Sequence, residues 1–187
     1  MNKIQYKSMI YILSMDYNSK RNDLLKELIP YYTPATFSII HDILIGEDAL
    51  TMSIINFTAV NFASAYESSI EHIDDNGEIE YINIARSYDG QLKDNRRQCF
   101  DAFCRKPKIL FEYEPGKTIV TSVSQLNFYR WVINIDLLKF IRENYELINA
   151  EFKKLEDSDI IMSSSSLKYS NKFRVSKSIS DKNFDDD

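Results

Sequence analysis

"KILFEYEPGKTIVTSVSQ", residues 108–125, holds two β-rich runs, a chain reversal and the start of a helix within one short span. Pro115 and Gly116, set between Glu114 and Lys117, stand where a four-residue hairpin connection wants its fixed and its permissive residue. The hairpin is thus predicted from turn chemistry as well as from β-prone side chains. Ser122 and Gln125 then have the Ser-x-x-Gln spacing of a capping box, so a helix is expected to begin directly after the second strand. A hairpin that runs straight into a helix points to an α+β fold.

On the C-terminal side, "QLNFYRWVINIDLLKFIRENYELINAEFKKLE" reads as two helices. Asn134 can take the left-handed conformation that ends a helix and Asp136 can cap the next, which predicts a break after Val132 or Ile133. Beyond Glu156 the chain turns to "SSSS", scattered Lys and Arg, and a terminal Asp185-Asp186-Asp187. Too few apolar residues remain there to offset the entropy of ordering, so 1–156 is read as one compact domain and 157–187 as a disordered polar tail.

On the N-terminal side, "SKRNDLLKELIPYYTP" places Leu24, Leu25 and Leu28 on one helical stripe ending near Pro30 and Pro34. "ATFSIIHDILIGED" repeats Phe37, Ile40 and Leu44, with Gly46 placed to stop the second helix. Residues 49–66 fit both periods: Leu50, Met52 and Ile54 alternate, whereas Ile55, Ala59, Phe62 and Ala63 recur as on a helix, which is the reading preferred. Asn76-Gly77 marks a turn, followed by one strand through Ile79, Tyr81 and Ile82 that closes near Gly90. From Gln91 to Cys104 a helix is expected, with Leu92, Gln98 and Cys99, and Phe103 a turn further on, along its inner face and Lys93, Arg96 and Arg97 in water, ending before Pro107.

The chain has 187 residues, 44% hydrophobic and 13% aromatic, enough for one ordinary packed domain. Its net charge of −5 argues against nonspecific coating of nucleic acid, which requires many cations replacing counterions along the phosphates. No run approaches the roughly 18–20 continuous apolar residues of a membrane span, and Met9–Leu13 is too short for an export signal. Two cysteines, Cys99 and Cys104, suit a reducing compartment, so the chain is expected not to be secreted.

Those cysteines supply one short-spaced pair where structural zinc needs four ligands, and His41 and His72 lie alone in dissimilar segments. The spacing is also wrong for Cys-x-x-Cys exchange chemistry. Gly-x-Ser-x-Gly and the phosphate-binding glycine fingerprints are absent, and "EPGKT" lacks the first glycine of a Walker loop. Catalysis, a metal and a cofactor are therefore not expected.

One stretch departs from the acidic background. Between Arg86 and Lys108, seven cations (Arg86, Lys93, Arg96, Arg97, Arg105, Lys106, Lys108) stand against Asp89, Asp94 and Asp101, a net +4. Guanidinium groups beside exposed aromatic rings hold phosphates and stack on bases, whereas Phe100, Phe103 and Phe111 serve equally as core anchors under a solvated face. A helix-turn-helix at the 132–136 break is disfavoured because "DLLKFIRENYELINAE" mixes Lys139 and Arg142 with four acids, Asp136, Glu143, Glu146 and Glu151. Phe128, Trp131, Phe140 and Ile141 are expected to pack the hairpin into the core.

"SYDGQLKDNRRQCFDAFCRKPKILFEY" followed by "IVTSVSQLNFYRWVINIDLLKFI" resembles a small protein encoded by many giant and other nucleocytoplasmic large DNA viruses. The resemblance is carried by Ser87, Tyr88, Gln91, Leu92 and Lys93, by Phe100, Asp101, Phe103, Cys104 and Arg105, and by Thr121, Gln125, Leu126, Asn127, Phe128 and Trp131. It departs from that group's Phe-Asp-Pro-Phe-Cys-Arg and Thr-Thr-x-Gly-Gln-Leu-Asn-Phe-Phe-x-Trp segments at Ala102, Ser122 and Ser124. The resemblance implies a viral protein in the host cytoplasm, virus factory or virion, with no assigned activity. Together with the charge pattern it leads to a noncatalytic binding or assembly protein. Its surface of Lys93, Arg96, Arg97, Arg105, Lys106 and Lys108 would meet nucleic acid or an acidic viral partner. The alternative is a virion structural protein held by apolar contacts.

Overall fold

The hydroxyl of Ser122 accepts a hydrogen bond from the backbone N–H of Gln125 at 3.1 Å, so a helix starts where the Ser-x-x-Gln spacing predicts one. The computed structural model describes residues 11–12, 19–73, 76–95, 98–103 and 107–165. In chain order these form β1 (Tyr11–Ile12), α1 (Ser19–Tyr31), α2 (Pro34–Ile45), α3 (Met52–Phe57), a π-helical stretch (Thr58–Phe62) and α4 (Ala63–Ala65). There follow β2 (Ser69–Ile73), β3 (Ile79–Asn83), α5 (Ile84–Asp94), β4 (Ile109–Glu114), β5 (Lys117–Thr121), α6 (Val123–Asn134), α7 (Leu137–Glu143) and α8 (Tyr145–Ser165). The fold is α+β and mostly helical, with two small antiparallel hairpins.

The chain divides into two compact units, Met1–Tyr145 and Glu146–Asp187. In the first, β4 and β5 pair from Ile109↔Thr121 to Glu114↔Lys117, leaving Pro115-Gly116 as the connection. Gly116 takes φ 77°, a conformation costly for residues with a Cβ, and its N–H donates to Glu112 Oε1 at 2.8 Å. β1 adds antiparallel to the other side of β4, giving the order β1-β4-β5. Ile109 and Phe111 point inward from β4.

α6 is buried almost all round, as befits a helix enclosed by other elements. α1 packs on it: Leu24, Leu25 and Leu28 are buried, and the Tyr32 hydroxyl just past α1 donates to Leu126 O at 2.6 Å. Pro30 lies within the last turn of α1, so the helix ends after the proline and not before it. Thr33 caps α2, and Gly46 ends it in the left-handed region at φ 81°. Phe37 stacks on Tyr113 of β4 with ring centres 4.4 Å apart, joining α2 to the sheet.

The helical reading of 49–66 holds, with a wide turn at 58–62. There Thr58 is buried and its hydroxyl donates to Ile54 O at 2.8 Å, satisfying it within its own helix. Downstream, two corrections are needed. The single strand expected through 79–82 belongs to a hairpin with β2, whose lone buried residue, Ile70, leaves almost no hydrophobic pattern to read. The helix expected over 91–104 instead occupies 84–94. Asn83 Oδ1 accepts from Arg86 N–H at 2.9 Å and starts the helix there, while the Asn95 side-chain amide donates to Gln91 O at 3.1 Å at its end.

α6 ends at Asn134 and the break falls at Ile135–Asp136, one or two residues beyond the expected one. Asp136, and not Asn134, takes the left-handed conformation, at φ 56°, and its side chain caps nothing. Phe128, Trp131 and Ile141 are buried as expected, and Phe140 is half-buried. In the second unit α8 runs through Ser165, past the Glu156 boundary drawn from composition. Glu151 and Lys154 pair along it at 2.6 Å. The rest of the expected tail lies outside the described residues.

Candidate functional site

Ser87, Gln91 and Asn95 recur every fourth residue along α5 and its end, and so share one face. That face meets α6. Trp131 Nε1–H donates to Ser87 Oγ at 3.0 Å, and Asn95 Nδ2 donates to Gln91 O and Oε1 at 3.1 and 3.2 Å. Asn127 completes the seam: its Nδ2 donates to Cys99 O at 2.9 Å and Asn95 Oδ1 at 3.2 Å, from a side chain 1% exposed. Its Oδ1 has no partner among the described residues.

These bonds fasten the segment Gln98–Phe103 to α6. The Asp101 N–H points at Ser124 O at 3.4 Å, Arg21 Nε–H donates to Gln98 O at 3.1 Å, and Phe100 is buried among Tyr88, Phe128 and Trp131. Asp101 Oδ1 accepts from the Phe103 N–H at 2.9 Å, and Phe103 is turned outward, 48% exposed. Leu92 is also exposed, which overturns its expected place on an inner face with Phe103. The physical reason is that α5 ends at Asp94, so the 3.6-residue period stops before Phe103.

Gln125 is not the reciprocal half of a capping box. Its Oε1 accepts from Thr121 Oγ1 at 3.0 Å and its Nε2 lies 3.5 Å from Met52 Sδ, leaving no reach back to the Ser122 N–H. Tyr129 is fully buried and its hydroxyl finds no partner among the described residues; burial pushes this phenol well above its ordinary range. Tyr32 is pushed up likewise. Both remain neutral side chains, suited to packing.

Of the six cations singled out, Lys93 is exposed in the last turn of α5, where a positive charge complements the helix dipole, and Lys108 is half-buried just before β4. Arg96, Arg97, Arg105 and Lys106 lie outside the described residues, as does Cys104. Cys99 is buried. His41 pairs with Asp42 at 2.8 Å and lies 3.3 Å from the Tyr113 hydroxyl, while His72 sits in β2. Among the described residues no group of three His, Cys, Asp or Glu could hold a metal ion, and no helix is long and apolar enough to cross a membrane. The "EPGKT" turn is the β4–β5 connection, where Glu114 binds Lys117 at 2.6 Å and holds its ammonium above the usual range. A groove of about 320 Å³ beside α7, lined in part by Ile39, Ile133, Leu138 and Arg142, contains no His or Cys.

Of the residues behind the viral resemblance, Ser87, Tyr88, Gln91, Phe100, Asp101, Asn127, Phe128 and Trp131 are drawn together in or beside one seam. Sequence reasoning found these positions without their role; the four-residue spacing of Ser87, Gln91 and Asn95 was the available signal.

The model of a protein family described as "Family of unknown function (DUF7197)" matches residues 14–187, and the chain belongs to that family. It is similar to an uncharacterised protein of Acanthamoeba polyphaga mimivirus, 25% identical over 114 residues. That match covers 58% of this chain and 44% of the relative, so the chain spans under half the relative's length. The likeness supports the giant-virus resemblance read from the sequence. No solved structure matches.

Proposed function

We propose that this member of the DUF7197 family is a noncatalytic viral binding or assembly protein that docks nucleic acid or an acidic protein partner. The proposed surface is Lys93, Arg96, Arg97, Arg105, Lys106 and Lys108. The observation that carries the reading is the fastening of Gln98–Phe103 to α6 with Phe103 left exposed. Arg96 and Arg97 immediately precede that segment, and Arg105 and Lys106 follow it by one residue. In sequence all four therefore flank an anchored segment that presents an aromatic ring. Cations around an open ring suit phosphate contact and base stacking. The finer likeness to the viral group with the Gly-Gln-Leu-Asn-Phe-Phe-x-Trp segment belongs to this proposal, as does a site of action in the host cytoplasm or virus factory.

The test is fluorescence anisotropy of a labelled single-stranded RNA and of a labelled poly-glutamate peptide, with wild type and the double variant Arg96→Glu/Arg97→Glu. With about four phosphate contacts, RNA affinity should fall roughly 50-fold between 50 and 200 mM salt. The variant should lose RNA and peptide alike. A variant with an unaltered melting temperature that binds both probes as wild type does refutes the surface.

A second reading, a virion structural protein held by apolar contacts, is favoured by the exposed side chains of Ile73, Ile79 and Tyr81. It predicts stoichiometric recovery in purified particles and retention at high salt. Absence from particles excludes it.

A further inference from the structure

The β2–β3 hairpin is a sheet of two strands, so each has an outer edge without a strand partner among the described residues. Cross-strand partners share a face, which places Ser69/Asn83, Glu71/Tyr81 and Ile73/Ile79 on one side and Ile70/Ile82 and His72/Glu80 on the other. The second side carries the buried anchor, Ile70. The first is open: Ile73 is 63% exposed, Ile79 58% and Tyr81 71%. Ile73 and Ile79 are direct partners and Tyr81 follows Ile79 along the same face, so the three form one continuous patch.

Edge strands are usually blunted by lysine, by proline or by a covering element. From Glu67 through Ala85 the sequence has no Lys, Arg or Pro, and it carries six carboxylates: Glu67, Glu71, Asp74, Asp75, Glu78 and Glu80. Glu67, Glu71, Glu78 and Glu80 are exposed. The exposed carboxylates of Glu67, Glu71 and Glu80, with no cation in the same stretch, select among occupants. A second copy laid hairpin to hairpin would bring the same carboxylates together, and a nucleic acid or an anionic lipid surface meets the same repulsion.

We infer that the β2–β3 hairpin is a docking edge for an extended basic segment of another protein. Its apolar residues, at alternate positions, extend the patch of Ile73, Ile79 and Tyr81, while its lysines and arginines meet Glu67, Glu71 and Glu80. The partner joins the sheet as a third strand: backbone hydrogen bonds at the free edge supply affinity and alternate side chains supply selectivity. This inference does not rest on the basic surface; it shares the apolar patch of the second reading, and absence from particles would exclude that reading while leaving peptide binding to be measured by itself.

The experiment titrates the full chain into a fluorescein-labelled peptide of sequence Lys-Val-Lys-Phe-Arg-Val-Lys-Ile and reads anisotropy. Two altered peptides serve as comparisons, one with every cation replaced by glutamate and one with proline at alternate positions. Saturable binding of the parent peptide, with at least tenfold weaker binding of both altered peptides, is expected. The double variants Ile73→Ser/Tyr81→Ser and Glu71→Lys/Glu80→Lys should each weaken parent binding at least tenfold, with melting temperatures kept because all four side chains are outside the core. Loss below twofold in both variants overturns the site. A proline peptide that binds as the parent does overturns strand addition. Sedimentation showing that the free chain dimerises, and that Ile73→Ser/Tyr81→Ser makes it monomeric, overturns the partner in favour of a second copy.

Discussion

Replacing Asn127 by aspartate keeps the side chain's shape and removes both of its donors. In the native seam those donors reach Cys99 O at 2.9 Å and Asn95 Oδ1 at 3.2 Å, from an almost wholly buried position. Each bond contributes about 1 kcal/mol net, and a buried acceptor left alone costs about 1–3 kcal/mol. An ionised aspartate would face two acceptors without water, so its folded pKa should rise above the ordinary value of about 3.9. A group with a raised folded pKa keeps its contribution below the unfolded pKa and loses it as pH rises through the folded one. At pH 4 the protonated acid can still donate to Cys99 O, and the deficit against wild type should be about 1–2 kcal/mol. At pH 7.5 it should reach about 3 kcal/mol or more. With about 2–4 °C per kcal/mol for a chain of this size, melting should fall ~2–8 °C at pH 4 and at least ~6 °C at pH 7.5. Thermal melts followed by circular dichroism measure both, with Asn127→Leu as the uncharged comparison, expected about 2 kcal/mol down at either pH. An aspartate variant whose deficit is absent, or equal at the two pH values, refutes the assignment of Asn127 as the donor that holds Gln98–Phe103.

Three further outcomes follow from the same geometry. Arg142 holds Asp48 at 2.6 Å and keeps its carboxyl below the usual range. That contribution is present above the unfolded pKa and lost as pH falls through the folded one, so Arg142→Ala should cost under about 1 kcal/mol at pH 7 and nothing once Asp48 is protonated in both states. Urea midpoints at pH 7 and pH 2.5 check this, and an equal loss at both removes the ion-pair account. Trp131, the sole tryptophan, is buried and donates to Ser87, so its emission should be blue-shifted and poorly quenched by acrylamide until unfolding. Emission near that of free indole in water contradicts the seam. In a Cys104→Ser background, Cys99 should react with a mild thiol reagent only as fast as the chain opens, and rapid native labelling would show it accessible.

Where local chemistry and tertiary demand coincide, the sequence was readable. Pro115-Gly116 supports one kind of reversal, Gly46 stops α2 by adopting a conformation other residues avoid, and Leu24, Leu25 and Leu28 leave one apolar stripe. The start of α6 follows from the Ser122 hydroxyl for the same reason. Where patterns were weak or shared, the reading slipped. β2 has one buried residue in five, so alternation had nothing to register. The position of α5 turned on Asn83 and Asn95, side chains whose backbone bonds start and end helices without altering hydrophobic period.

By itself the sequence determined the α+β class, the β4–β5 hairpin and the starts of α1, α2 and α6, because these depend on backbone preferences and caps acting within a few residues. It also fixed the charge pattern, with six carboxylates from Glu67 to Glu80 followed by seven cations from Arg86 to Lys108. Only the tertiary structure decided that Ser87, Cys99 and Trp131, far apart along the chain, meet in one seam, because that requires side chains of α6 to reach α5 and the segment after it. It alone decided that Ile73, Ile79 and Tyr81 stay outside. Apolar residues on a strand read identically whether or not another element covers them, and the difference lies in which neighbours the fold brings to that face.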